Sequence, residues 1–180
     1  MSEAATVEGD ERLRLFLALE IPEEVAGALA RWRDEHVRAG RPVDAFHVTL
    51  AFLGSRPRRE LGPILEALRA SVAESRPFTL VPGRYRETRS VGMLVLEDPS
   101  GEAARLAGRL QARLEELGVY RREARPWLPH ITVVRFRERP RLNPPPPELE
   151  PFAPSGAAAF LSRLHPSGAR YEVLESVRLP

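Results

Sequence analysis

The chain has 180 residues, 43% of them hydrophobic, enough to bury a proper core as one domain or as two small lobes sharing an interface. It contains no cysteine, which excludes disulfides, thiolate metal sites and a cysteine nucleophile, and which points to a reducing, cytoplasmic setting. Its 27 basic and 25 acidic residues leave a net charge of +2, and because every basic residue is arginine the pI of about 9.6 overstates how basic the chain is.

The opening run "MSEAATVEGDER" is acidic and polar, without the apolar centre of a secretion signal, and no later run approaches a membrane span, so a soluble protein is expected. "RLRLFLALEI" (12 to 21) reads as a buried strand. Pro22, Glu23 and Glu24 then suit a helix start, and Val25, Leu29, Trp32 and Val37 keep roughly helical spacing until Gly40 and Pro42 end it. "AFHVTLAFLG" (45 to 54) is the next strand, broken by Gly54 and Pro57. A helix over 59 to 74 follows, its stripe formed by Leu61, Ile64, Leu65, Leu68 and Val72. "PFTLVPGRYRET" and "VGMLVLED" read as two strands able to form an antiparallel pair.

From here the order starts again. "GMLVLED" (92 to 98) leads into a helix over 101 to 117 with Leu106, Leu110, Leu114 and Leu117 in its stripe, closed by Gly118, and then into the strand "LPHITVVRF". Strand, helix and a strand carrying His-x-Thr thus occur twice, the mark of an internal duplication with repeats at roughly 12–90 and 91–180. The second copy then diverges into "RERPRLNPPPPELEPFAPSG", whose proline run predicts an extended surface connection. "AAAFLSRLHP" and "RYEVLESVRL" close the chain as two strands around a Ser-Gly turn. The pattern predicts one α+β domain with pseudo-twofold symmetry and a site in the cleft between the units.

Side chains alternate along a strand, so His47 and Thr49 share one face while Phe46, Val48 and Leu50 share the other; His130 and Thr132 stand likewise against Ile131 and Val133. Five threonines in the chain make a chance Thr two places after a given His about 3% likely, so two such pairs among four histidines are not an accident of composition. Two imidazoles suit a transition state at phosphorus, one ring taking a proton from water while the other gives one to the leaving oxygen. Two threonine hydroxyls can donate to the non-bridging phosphate oxygens without adding charge. The ring nitrogens should then lie about 5–8 Å apart. No zinc signature accompanies these histidines, no carboxylate sits beside either pair on its strand face, and no glycine-rich phosphate loop with lysine is present, so neither a metal nor a cofactor is expected.

These residues resemble the two-histidine phosphoesterase superfamily, marked by a duplicated His-x-Thr-x, and within it the RNA 2',3'-cyclic phosphodiesterases, also called 2'-5' RNA ligases. "RLFLALEIPEEV", "FHVTLAFLG", "RPWLPHITVVRF" and "FLSRLHPSGARYEVLESVRL" carry the resemblance over nearly the whole chain. The family usually has phenylalanine where Trp127 stands and often Leu-Ala-Arg at Val133, Val134 and Arg135. The resemblance implies a bilobal antiparallel fold with a V-shaped cleft and helices on its outer faces. It also implies metal-free opening of a terminal 2',3'-cyclic phosphate of RNA to a 2'-phosphate, with ligation as the reverse reaction. It makes His47 the proton donor, His130 the proton acceptor, and Thr49 and Thr132 the phosphate holders. Arg135 matches a family arginine that supports the phosphate, yet strict alternation puts it on the buried side unless a bulge intervenes. Phe16, Phe46 and Trp127 are candidates to stack the terminal base; His36 and His165 read as surface residues. Arginine-dense segments at 56 to 60, 84 to 89, 121 to 125 and 135 to 141 suit phosphate or plain solvation. An RNA-end binding module without turnover, or a two-histidine enzyme acting on small cyclic nucleotides, are the alternatives. A monomer without membrane contact is expected.

Overall fold

Alternate leucines build the first strand in the computed structural model, which describes residues 11–180; the polar opening run up to residue 10 lies outside the described residues. In β1 (Arg12–Glu20), Leu13, Leu15, Leu17 and Leu19 face the core, and Phe16 and Ala18 on the other face are buried too. β1 is therefore covered on both sides, which is why its sequence reads as a continuous apolar run rather than an alternating one. α1 (Glu23–His36) follows directly after Pro22, with Glu23 and Glu24 in the turn where the helix dipole favours acids. It ends at His36, short of Gly40, and Arg41–Pro42 form a two-residue strand, β2, that the sequence did not suggest. A proline is tolerated there because β2 lies at a sheet edge.

β3 (His47–Pro57) is longer than expected. Gly54 does not break it: at φ 67 it sits inside the strand, opposite Leu15, where the pairing with β1 shifts register. A turn at Arg58–Glu60 leads into α2 (Leu61–Ala73), and β4 (Val81–Glu87) pairs antiparallel with β5 (Val91–Glu97). α3 (Glu102–Glu116), β6 (His130–Arg135), β7 (Gly156–Arg163) and β8 (Arg170–Arg178) complete the fold.

The strands form two antiparallel four-stranded sheets in the orders β3-β1-β7-β8 and β2-β6-β5-β4. The architecture is α+β, and the β–α–β order of β1, α1, β3 recurs in β5, α3, β6. Each sheet nevertheless draws on both parts of the chain. β4 leaves the first part to lie beside β5, and β7 and β8 return from the second part to lie beside β1. α2 packs on β7 and β8, and α3 packs on α2 and β3, so one core runs between the sheets and these helices.

The segment 137–155 forms no helix and no strand beyond a bridge at Phe152, turns at Arg141 with φ 59, and is tethered rather than free. Trp32 Nε1 donates to Pro145 O at 2.9 Å, the buried Glu87 carboxylate accepts from the amides of Arg141 and Leu142 and from Arg139 Nε, and Phe152 bridges to Leu80. Among the described residues no helix is long and apolar enough to cross a membrane.

Candidate active site

His47 opens β3 and His130 opens β6. Both strands show the same exposure pattern over six residues: His and Thr partly exposed, the residue after each buried, then a second buried residue and an exposed one. The doubled burial has a cause in the pairing. β3 skips Leu50 opposite β1, and β6 skips Val133 opposite β5, so each strand carries a bulge just after its Thr. The bulge reverses the alternation, and Arg135 emerges exposed on the side of His130 and Thr132. Its charge acts on His47 across the site. On β3 the corresponding position is Phe52, 50% exposed, with the Arg14 guanidinium 4.9 Å from its ring centre.

The two rings are held alike. His47 Nδ1 lies 2.9 Å from Ala45 O, and His130 Nδ1 lies 2.8 Å from Leu128 O. A carbonyl can only accept, so Nδ1 carries the hydrogen in both rings and Nε2 is the nitrogen left for chemistry. Each Nε2 can take a proton when its ring is neutral and give one when it is charged.

The surroundings of the two rings differ. His47 lies against Phe16 at 4.8 Å, Tyr171 at 5.6 Å and Phe160 at 6.0 Å between ring centres. Burial in this aromatic pocket holds its pKa below the ordinary histidine value; the bond to Ala45 O works the other way, and the charges of Arg135 and His130 add to the depression. β3 and β6 are in contact, and His130 is the smallest of the influences on the His47 ring.

Three aromatics expected to offer a stacking face are committed to the protein. Phe16 is 3% exposed, with one face parallel to Phe160 at 4.9 Å and the ring also tilted against His47, so the expectation of a base on it is corrected by its burial. Phe46 packs on the core beneath the Arg33 guanidinium, 5.5 Å away. Trp127 packs on the same core and donates its indole N–H to Thr49 O at 3.0 Å. His36 ends α1, and His165 lies in the β7–β8 turn with Nδ1 2.7 Å from Ser167 Oγ, both apart from the paired strands.

Several contributors escaped sequence reasoning. Phe160 and Tyr171 come from the last two strands, and nothing in their own segments marks them as neighbours of His47. Arg33 is 4% exposed and bonds Val43 O and, at 3.0 Å, Asp44 Oδ1, fixing the loop that delivers His47. A buried arginine near a motif is the only signal that would have found it. Among the described residues no three of His, Asp and Glu gather as metal ligands.

The family model of the 2'-5' RNA ligase superfamily matches residues 21–162, most of the chain. The chain belongs to that superfamily. It is 31% identical over 172 residues to the RNA 2',3'-cyclic phosphodiesterase of Escherichia coli, covering 92% of this chain and 96% of the relative. It is 34% identical over 182 residues to the RNA 2',3'-cyclic phosphodiesterase of Thermus thermophilus, covering 93% of this chain and 90% of the relative. In three dimensions it is similar to Escherichia coli LigT solved with 3'-AMP, with a TM-score of 0.81 at 27% identity, covering 94% of this chain and 99% of LigT. Within this 2'-5' RNA ligase superfamily member, both His-x-Thr pairs and Arg135 therefore stand on the two strands that meet at the site.

Proposed function

We propose that this chain is an RNA 2',3'-cyclic phosphodiesterase that opens a terminal 2',3'-cyclic phosphate to a 2'-phosphate by acid–base catalysis between His47 and His130. The observation that carries the reading is the matched pinning of the two Nδ1 atoms, which turns both Nε2 atoms into the working nitrogens of two rings on strands in contact. Its relatives that share about a third of their residues with it over nearly its full length are RNA 2',3'-cyclic phosphodiesterases.

In this reading His130 Nε2 takes a proton from water as the water oxygen attacks phosphorus. The bond from phosphorus to the 3'-oxygen breaks, and His47 Nε2–H delivers a proton to that oxygen, so the phosphate stays on the 2'-oxygen. Thr49 and Thr132 donate hydroxyl hydrogens to the non-bridging oxygens, and Arg135 offsets the charge that develops there. Ligation follows when the 5'-hydroxyl of a second RNA end takes the place of water. His130 Nε2 takes its proton, its oxygen bonds to phosphorus, and the 3'-oxygen leaves with the proton from His47, so that a 2'-5' junction forms; cleavage of that junction is the reverse path. The aromatic pocket and Arg135 disfavour a charged His47 in the empty site. The negative phosphate acts on the same ring in the opposite sense, so substrate binding itself readies the proton donor. We further take residues 1–180 as a single domain with repeats at roughly 12–90 and 91–180, acting as a monomer in the cytoplasm without a metal.

The test is turnover of an oligonucleotide ending in a 2',3'-cyclic phosphate, in chelator, with the 2'- and 3'-phosphate products resolved. The expected result is a 2'-phosphate product whose rate falls by about 10²–10⁴ in both His47→Ala and His130→Ala. Binding of the RNA end without product would make the protein an RNA-end binding module instead. Faster opening of small cyclic nucleotides than of RNA would move it to that substrate class.

A further inference from the structure

The two motif strands sit differently in their sheets. β6 is covered on its outer side by β2, whereas β3 ends its sheet. At the bulge of β6 the neighbouring backbone supplies the partner: the amide of Val43, the residue after β2, donates to Val133 O at 3.0 Å. At the bulge of β3 no strand lies beyond among the described residues, and two side chains take that place. Trp127 Nε1 donates to Thr49 O at 3.0 Å, and Gln111 Nε2 donates to Leu50 O at 2.8 Å. Both come from the later part of the chain, Trp127 from the loop before β6 and Gln111 from the middle of α3. Gln111 is only 6% exposed, and a buried amide is kept there by a partner of this kind.

We propose that Trp127 and Gln111 are positioning residues that together replace a missing edge strand, fixing the Thr49–Leu50 backbone and through it the directions of the His47 and Thr49 side chains. Their donors reach two successive carbonyls at the one of two register shifts against β1 that lies next to Thr49, where the strand is less constrained by its own sheet. The clamp also ties the first motif strand to the loop that carries the second, so the spacing of the two pairs is set by side chains as well as by packing. A phenylalanine at this position would have no N–H to give. The inference rests on the reading of His47 and Thr49 as working residues.

Trp127→Phe keeps an aromatic ring and removes the donor, and Gln111→Met keeps the length and removes the amide. Assayed well below the unfolding temperature on the cyclic-phosphate oligonucleotide, each is expected to lose about tenfold in kcat/KM, with most of the loss in kcat. The double variant should lose less than the product of the two, because both donors hold one strand. Folded variants with the parent's kcat would overturn the proposal and leave the two bonds as packing alone. If the parent protein itself fails to turn over, the functional reading fails separately, and the clamp is then read with inorganic phosphate. Phosphate binding, followed by NMR at the Thr49 amide and the His47 ring, should weaken several-fold in each variant, and unchanged binding would overturn the clamp.

Discussion

His47 is the residue on which the site's electrostatics converge. Its pKa is held below the ordinary value of 6.5 by burial first and by Arg135 and His130 second. In the role of proton donor proposed for it, His47 is active while charged, so activity is lost as pH rises through its pKa, and a depressed pKa moves that loss to lower pH. The profile of kcat/KM reports the free enzyme and that of kcat the complex, so the falling limb should lie at lower pH in kcat/KM than in kcat. Arg135→Gln removes a positive charge that lowers the His47 pKa, so it should shift this limb of kcat/KM upward and move the His47 ring titration by NMR in the same direction; a limb that stays put would show that Arg135 does not act on this ring. The two His-x-Thr pairs were legible in the sequence because residue types and a spacing of two are local properties. The pocket of Phe160 and Tyr171 was not, because it is made by strands that are distant in sequence and adjacent only through β1.

At the scale of the strand, alternation located the faces of β3 and β6 as far as Thr49 and Thr132 and then failed. A bulge inserts one residue, and a run such as Val133–Val134 reads as buried strand with or without it. Arg135 could thus be placed on either side from sequence, and only the pairing with β5 decides. Gly92 helps to hold that pairing: it lies opposite Val134, and a Cβ there would collide with the Tyr85 hydroxyl and lie 2.6 Å from Val134 Cγ1. Gly92→Ala should therefore cost about 1–3 kcal/mol in denaturant unfolding, and it should lower kcat/KM by disturbing the turn of β6 that exposes Arg135. Full stability with full activity would mean that the bulge absorbs the extra carbon. The helices were the more legible elements, since their stripes of leucine persist over several turns, yet the short β2 was invisible: two residues carry no period.

The whole molecule is held together by crossings that no local pattern announces. Order and type of the main elements could be read along the chain, but the assignment of β4 to the second sheet and of β7 and β8 to the first depends on which apolar faces find each other after folding. Buried carboxylates paired with more exposed arginines reinforce the joins. Glu102, the first residue of α3 and 3% exposed, accepts from Arg109 Nη2 and Arg105 Nε, each at 2.9 Å, and from the amide of Arg76 ahead of β4. The bonds to Arg109 above all hold its carboxyl down to about 2. A depressed carboxyl contributes stability that is fully present above its unfolded value near 4.5 and is lost as pH falls toward 2. Glu102→Gln should remove roughly 1–3 kcal/mol of stability at neutral pH and flatten the acid side of the stability curve over that window. An acid limb identical to the parent's would assign the loss to other groups.

The place of β1 between β3 and β7 bears on how the molecule is made. Leu15 pairs with Gly54 on one side and with Leu161 on the other, so one neighbour of the central strand is synthesised soon after it and the other much later. Until β7 and β8 are made, the edge of β1 that they cover is open, and His47 has Phe16 beside it but neither Phe160 nor Tyr171. The pocket that tunes the histidine closes only when β7 and β8 have been made, so its chemistry waits on residues more than a hundred positions downstream.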